Sequence, residues 1–138
     1  MNSLALGKRV RFRTECNDQD IVRAYQRARC VALPSVYLDC YGNETRVPEL
    51  LGQTLLEGMA CGTPGLTTSV ASLPEIVKEN VNGWIVKPND PKGLGEILEF
   101  IRNNPEDAGI KGEAARRGIL EDFSWEKTVK RCLKAYEC

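Results

Sequence analysis

Glu49 and Glu57 stand eight positions apart with Gly52 between them, and an apolar run leads on to Cys61-Gly62-Thr63-Pro64. Carboxylates held in a crevice accept hydrogen bonds from sugar hydroxyls, as an acidic residue does for ribose in dinucleotide-binding folds. The segment between them reads as a helix start. There the N–H groups of Gly52, Gln53, Thr54 and Leu55 lack intrahelical partners, and with the helix dipole they suit a phosphate or diphosphate. Gly52 lets that backbone approach a ligand closely. Spacing alone leaves the alternative open that Glu57 is a solvated helix residue and Glu49 a charge favoured by the dipole.

The elements around the pair alternate in type. Residues 10–12 read as a short strand, and a helix capped by Asn17 or Asp18 runs to about Ala28 with Ile21, Val22 and Tyr25 on one side. Residues 30–33 read as a buried strand and 35–51 as a long polar loop, a length that in compact domains points to function or disorder. A helix over 53–60 ends at Gly62, and a strand follows at 65–68. Ser72 and Glu75 form a capping-box pattern for a short helix, which also reads Glu75 as a cap and not a catalyst. Asn82-Gly83 reads as a turn and 84–86 as a strand. Helices follow over 90–103 and 105–120, and Ser124 caps a last helix with Trp125, Val129, Cys132, Leu133 and Tyr136 along one side. Strands alternating with helices predict an α/β fold, a Rossmann-like parallel sheet with helices on both faces. Ligands of such sheets bind beyond the carboxyl ends of the strands, which places the loop and Glu49 above residue 33.

Composition narrows the chemistry. The 138 residues suffice for one domain, expected to span 1–138. Nineteen basic residues balance nineteen acidic ones, so overall charge gives no argument for nucleic acid or an anionic membrane. The run Lys8, Arg9, Arg11 and Arg13 reads as a solvated strand edge. There is no histidine, which removes His-based acid–base chemistry and the commonest metal ligand. Six cysteines without CxxC spacing fit reduced thiols in a cytoplasmic protein, with Cys61 as a small buried hydrophobe. No apolar run reaches transmembrane length. The sequon at Asn43 carries little weight without a secretory signal. A G-x-G-x-x-G fingerprint is missing, which disfavours a dinucleotide fold. Trp84 and Trp125 read as packing residues, not ligand platforms.

In order along the chain, VRF before a helix, VALPS, ELLGQTLLEGMACGTP, SLPEIV, NGWIVKPNDP and FSW resemble the retaining, GT-B-type glycosyltransferases of family 4. The specific match is the E-x7-E signature, Glu49 to Glu57, in a pattern close to E-x-x-G-x-x-x-x-E-A-M-A-x-G-x-P. The resemblance covers nearly the whole chain and implies a domain that holds a nucleotide-diphosphate sugar. By motif position it assigns Glu49 to the donor sugar and the catalytic role, and Glu57 to the ribose hydroxyls. It assigns Leu51, Gly52, Gln53 and Thr54 to the cradle of diphosphate and sugar. It implies sugar transfer with retention, without metal or cofactor. Thr14 takes the place of a common glycine, Val70-Ala71-Ser72 stands where a Gly-Gly pair is frequent, and Gly58 replaces a frequent alanine, a change expected to weaken the helix by roughly 0.5–1 kcal/mol.

The resemblance further implies a partial C-terminal half of a GT-B fold, N-terminally truncated. The acceptor-binding half and the first two strands of the donor domain, with their diphosphate-gripping Arg and Lys, would be missing, and the run at 8–13 does not replace them. The chain alone is then expected to bind donor weakly and to transfer nothing. Residues 10–12 are expected to fray, to pair directly beside 31–33, or to be completed by another chain. Partners implied are the nucleotide-diphosphate sugar and the missing half or a second chain, with membrane association only through the full enzyme and no nucleic acid. The alternative is a non-catalytic α/β module that binds nucleotide or a partner in the same crevice.

Overall fold

The computed structural model describes residues 9–137. Its elements are α1 (Asp18–Arg27), β1 (Val31–Leu33), α2 (Gln53–Ala60), β2 (Gly65–Thr68), α3 (Leu73–Ile76), β3 (Gly83–Val86), α4 (Pro91–Asn103), α5 (Pro105–Asp122) and α6 (Trp125–Tyr136). The strands pair in parallel in the order β1-β2-β3, with Val31 opposite Gly65 and Gly65 opposite Gly83. Parallel neighbours need crossovers, and α2 and α3 supply them. All four residues of β2 are buried, the mark of a central strand covered on both sides.

One face of the sheet buries Val31 with Leu55 and Met59 of α2, Leu73 and Ile76 of α3, and Ala115 and Ile119 of α5. The other buries Leu66, Trp84 and Val86 with Ile101 of α4 and Ala108 of α5. Helix α5 thus reaches both faces. Between them its Lys111 lies buried, 2.7 Å from Asp107 and 5.4 Å from the centroid of the Trp84 ring. This is the expected α/β arrangement with helices on both faces.

Four expectations are corrected. Residues 10–12 form no strand and do not pair beside β1, whose ladder runs only to β2 among the described residues. Val10 and Phe12 alternate with Arg9, Arg11 and Arg13, and Phe12 is 71% exposed, so no burial offsets the cost of fixing an extended backbone. Lys8 lies outside the described residues. Ser72 makes no side-chain cap on α3, because its backbone is already helical, at φ −82° and ψ −3°, and not in the extended conformation of a capping residue. Trp125 is 83% exposed, unlike Trp84, which is core. The turn expected at Asn82-Gly83 holds at Asn82 but ends there. The Asn82 side chain is buried, accepting from Lys78 N at 2.6 Å and donating to Ile76 O at 3.1 Å, and β3 begins at Gly83.

Candidate functional site

The polar stretch after β1 is ordered by its own side chains. Asp39 Oδ1 accepts the N–H groups of Tyr41 and Asn43 at 2.8 and 2.9 Å, and its Oδ2 accepts the Asn43 side-chain amide at 2.9 Å. These bonds, that of the Asn43 side chain foremost, hold the Asp39 carboxyl below the usual carboxylate range. Leu38 and Glu44 form an antiparallel bridge, and Thr45 N donates to Tyr37 O at 2.8 Å. The stretch is therefore a miniature hairpin, and the Asn43 amide is engaged within it.

Two bonds tie this loop to the turn that follows β2. Ala71 N donates to the Tyr37 hydroxyl at 3.0 Å, and Ser72 Oγ donates to Leu50 O at 2.7 Å. Threonines of β2 hold the loop's root, with Thr67 Oγ1 on Leu33 O at 2.9 Å and Thr68 Oγ1 on Ser35 O at 2.5 Å. The turn itself is strained at Ala71, with φ +48°, a conformation that suits glycine. It lies within Val70-Ala71-Ser72, the stretch that the resemblance sets against a Gly-Gly pair.

Glu49 does not reach into open space. Its Oε1 accepts the N–H groups of Leu50, Leu51 and Gly52 at 3.0, 3.3 and 3.0 Å. These donors, Gly52 foremost, lower its pKa below the ordinary glutamate value. Of the four N–H groups expected to face a ligand, Gly52 is thus taken by Glu49, and Leu55 donates to Gly52 O at 2.9 Å. The Gln53 and Thr54 N–H groups have no partner among the described residues, and both residues are exposed. Gly52 caps α2 at φ +68°, and a Cβ there would stand 2.8 Å from Leu73 Cδ2. The glycine is required by backbone conformation and by the core.

Glu57 projects from the next turn of α2 toward α1. Its Oε2 accepts the Tyr25 hydroxyl at 3.3 Å, and burial first, then the Glu57 charge, raises the Tyr25 pKa. Asp18, Ile21, Val22, Tyr25, Glu57 and Cys61 line a cleft of about 320 Å³ between the two helices. Cys61 is half-buried at its edge and not a fully buried hydrophobe. Helix α2 is held for this by its ends. Thr63 N donates to Gly58 O and Gly62 N to Met59 O, a Schellman closure, while Arg116 donates to Ala60 O. Thr63 Oγ1 also donates to Tyr25 O at 2.6 Å, locking α1 to α2.

The structure therefore gives the two glutamates different surroundings. Glu49 folds onto the helix start beside Leu51, Gly52, Gln53 and Thr54, and Glu57 lines a cleft with Tyr25. Sequence reasoning missed Tyr25 and Tyr37, since a tyrosine at an apolar helix position or in a polar loop carries no sign of where its hydroxyl points. No cluster of three metal-ligating side chains occurs among the described residues. No helix among them is long and apolar enough to cross a membrane.

A parallel sheet with an ordered loop and a helix start beyond the end of β1 defines a Rossmann-like α/β protein. Residues 1–118 match the family of glycosyl transferases group 1, and the chain belongs to that family. An uncharacterized glycosyltransferase of Methanocaldococcus jannaschii is 31% identical over 144 residues, covering 97% of this chain and 32% of its own length. A D-inositol 3-phosphate glycosyltransferase of Salinispora tropica is 33% identical over 140 residues, covering 97% of this chain and 25% of its own. Among solved structures, sucrose-phosphate synthase of Thermosynechococcus elongatus superposes with a TM-score of 0.81 at 26% identity, over 99% of this chain and 31% of its own. HepE of Anabaena, in complex with UDP-glucose, superposes at 0.78 and 20% identity, over 99% of this chain and 34% of its own, a likeness of fold. The fold is that of the C-terminal, Rossmann-like domain of GT-B glycosyltransferases. The chain spans about a quarter to a third of the length of these relatives.

Proposed function

We propose that this chain is the donor-binding domain of a family 4, retaining glycosyltransferase and that it holds a nucleotide-diphosphate sugar. The observation that carries the reading is the start of α2, where two unpartnered N–H groups, Gln53 and Thr54, lie beside a carboxylate that occupies three more. In this reading the diphosphate takes the helix start. Glu49 turns from its amides to the donor sugar, and the N–H groups of Leu50, Leu51 and Gly52 pass to the phosphate oxygens. Amide donors fixed there stabilise charge on the departing diphosphate without a metal. Glu57, oriented by Tyr25, accepts the ribose hydroxyls. The HepE complex contains UDP-glucose, which supports a nucleotide sugar as the ligand class here.

Transfer itself needs an acceptor site, and none is assigned to the described residues. The part proposed for this chain is donor binding. Titration calorimetry of the chain with UDP-, GDP- and ADP-sugars tests this. One of them is expected to bind, Glu57→Gln is expected to weaken it about tenfold, and Tyr25→Phe less. If neither Glu49→Ala nor Glu57→Ala alters nucleotide-sugar binding, the site assignment fails. In that case a non-catalytic module for nucleotide or partner binding becomes the better reading.

A further inference from the structure

The basic run near the start of the chain has no place in the donor site, and the structure carries its last member to α1. Arg13, Arg23 and Arg27 line a cleft of about 220 Å³ with Asp20 and Ala24. Asp20, Arg23, Ala24 and Arg27 recur at helical spacing on the face of α1 opposite Ile21, Val22 and Tyr25, so this cleft and the Glu57 cleft lie on two sides of one helix.

The cleft is lined by three guanidinium groups and a single carboxylate, that of Asp20. None of the three arginines forms an ion pair with a carboxylate among the described residues. Among the described residues Arg23 donates only to the side-chain oxygen of Gln19, at 3.1 Å. Asp20, the one acid present, is turned to the helix start, where its carboxylate accepts Asn17 N in a capping box. Like charges at i, i+4, as Arg23 and Arg27 are, repel one another unless an anion lies between them. Ala24 is the single apolar residue of the lining, so the cleft offers a nucleobase or an acyl chain almost nothing to bury against.

We propose that Arg13, Arg23 and Arg27 form a phosphate-binding site separate from the donor site. The planar guanidinium fork matches two phosphate oxygens at once, and three forks around a cleft of this size suit a phosphate or diphosphate group. Arg9 and Arg11, exposed on the same leading segment, extend the positive field toward an approaching anion. The phosphate is carried either by a small soluble molecule or by a lipid headgroup. The proposal does not depend on the donor reading, because no residue of the α2 start lines this cleft.

The test uses the full chain, isotopically labelled, titrated with inorganic pyrophosphate while the Nε–H resonances of Arg13, Arg23 and Arg27 are followed. The three are expected to shift together and saturate. Arg13→Gln, Arg23→Gln and Arg27→Gln combined are expected to weaken that site about tenfold or more with the circular dichroism unchanged. Should the triple variant not fold, Asp20→Asn serves instead. It keeps a capping oxygen and removes the one negative charge, and is expected to tighten binding about threefold. Co-sedimentation with phosphatidylcholine vesicles, with and without phosphatidylglycerol, separates the sources. Saturable pyrophosphate shifts without vesicle binding assign a soluble phosphate, and vesicle binding lost on arginine replacement assigns a headgroup. Arginine resonances that stay still together with vesicles that leave the chain in solution overturn the site.

Discussion

The carboxylate of Glu49 accepts the backbone N–H of Gly52 at 3.0 Å and so occupies, from within the chain, the anion position at the start of α2. The same oxygen takes Leu50 and Leu51 as well. The folded pKa is depressed, so the stabilisation is fully present above the ordinary glutamate range and is lost as pH falls through the folded value. Glu49→Ala is expected to lower the unfolding free energy by no more than about 1 kcal/mol at neutral pH, since solvent reaches the group. The difference should shrink as pH falls below the ordinary glutamate range, as urea unfolding at neutral and acid pH can check. The variant also separates the two ligands of the site. Nucleoside diphosphate should bind as well or better once the internal anion is gone, while the preference for nucleotide sugar over nucleoside diphosphate should fall.

Ala71 offers a second handle on the same loop. It holds φ +48° in the turn whose N–H meets Tyr37 and whose next residue meets Leu50. The left-handed conformation costs an L-residue about 1–2 kcal/mol, and glycine gives part of that back in unfolded-state entropy. Ala71→Gly is expected to raise stability by about 0.5–1 kcal/mol with the loop bonds intact. A loss of stability in chemical unfolding would show that Ala71 is not strained.

Gly58 illustrates how packing reverses a propensity argument. From sequence, glycine inside α2 where alanine is frequent should weaken the helix. In the structure a Cβ at Gly58 would stand 2.8 Å from Val31 Cγ1, 2.9 Å from Val31 Cβ and 3.1 Å from Tyr25 Cδ1. Val31 is a buried, branched strand residue that cannot swing aside. The crowding, typically about 1–3 kcal/mol, exceeds the gain in helix propensity of about 1 kcal/mol. Gly58→Ala is therefore expected to destabilise. Gly95 in α4 has nothing within 4 Å of its would-be Cβ, and Gly95→Ala is expected to stabilise by about 0.5–1 kcal/mol. Thermal unfolding of both variants decides, and the same sign for both would refute the contrast.

What could be read in advance follows from how local each signal is. Capping at Asn17, the break at Gly62 and the apolar spacing in α4 depend on neighbours a few residues away, and those elements appear where expected. The strand expected at 10–12 depends on a partner strand, which three residues of sequence do not reveal. Glu57 was legible from its spacing, but its partner Tyr25 lies 32 positions earlier. Ser72 matched a capping pattern, yet its hydroxyl went to Leu50, 22 positions away. Glu49 was legible as a charge favoured by the dipole of the helix it precedes, whereas the fold-back of its carboxylate onto its own amides is a matter of rotamer, which no spacing encodes.

The last helix gives the sharpest test of pattern against burial. Ser124 caps α6 by accepting Lys127 N at 3.3 Å, and Trp125, Val129, Leu133 and Tyr136 share one side at helical spacing, the signature of a core-facing stripe. In the structure all four are exposed and α6 buries no residue. Hydrophobic stabilisation follows the apolar area removed from water, so this stripe contributes little to the fold of the described residues. The Lys127–Asp122 pair at 2.8 Å is solvated on both sides and adds little. Removing residues 124–138 is therefore expected to lower the helical circular dichroism signal while the melting temperature stays within about 2 °C. The buried Trp84 should keep its emission spectrum in the shortened chain. A fall of about 5 °C or more would mean that α6 packs on the domain and that the stripe belongs to its core.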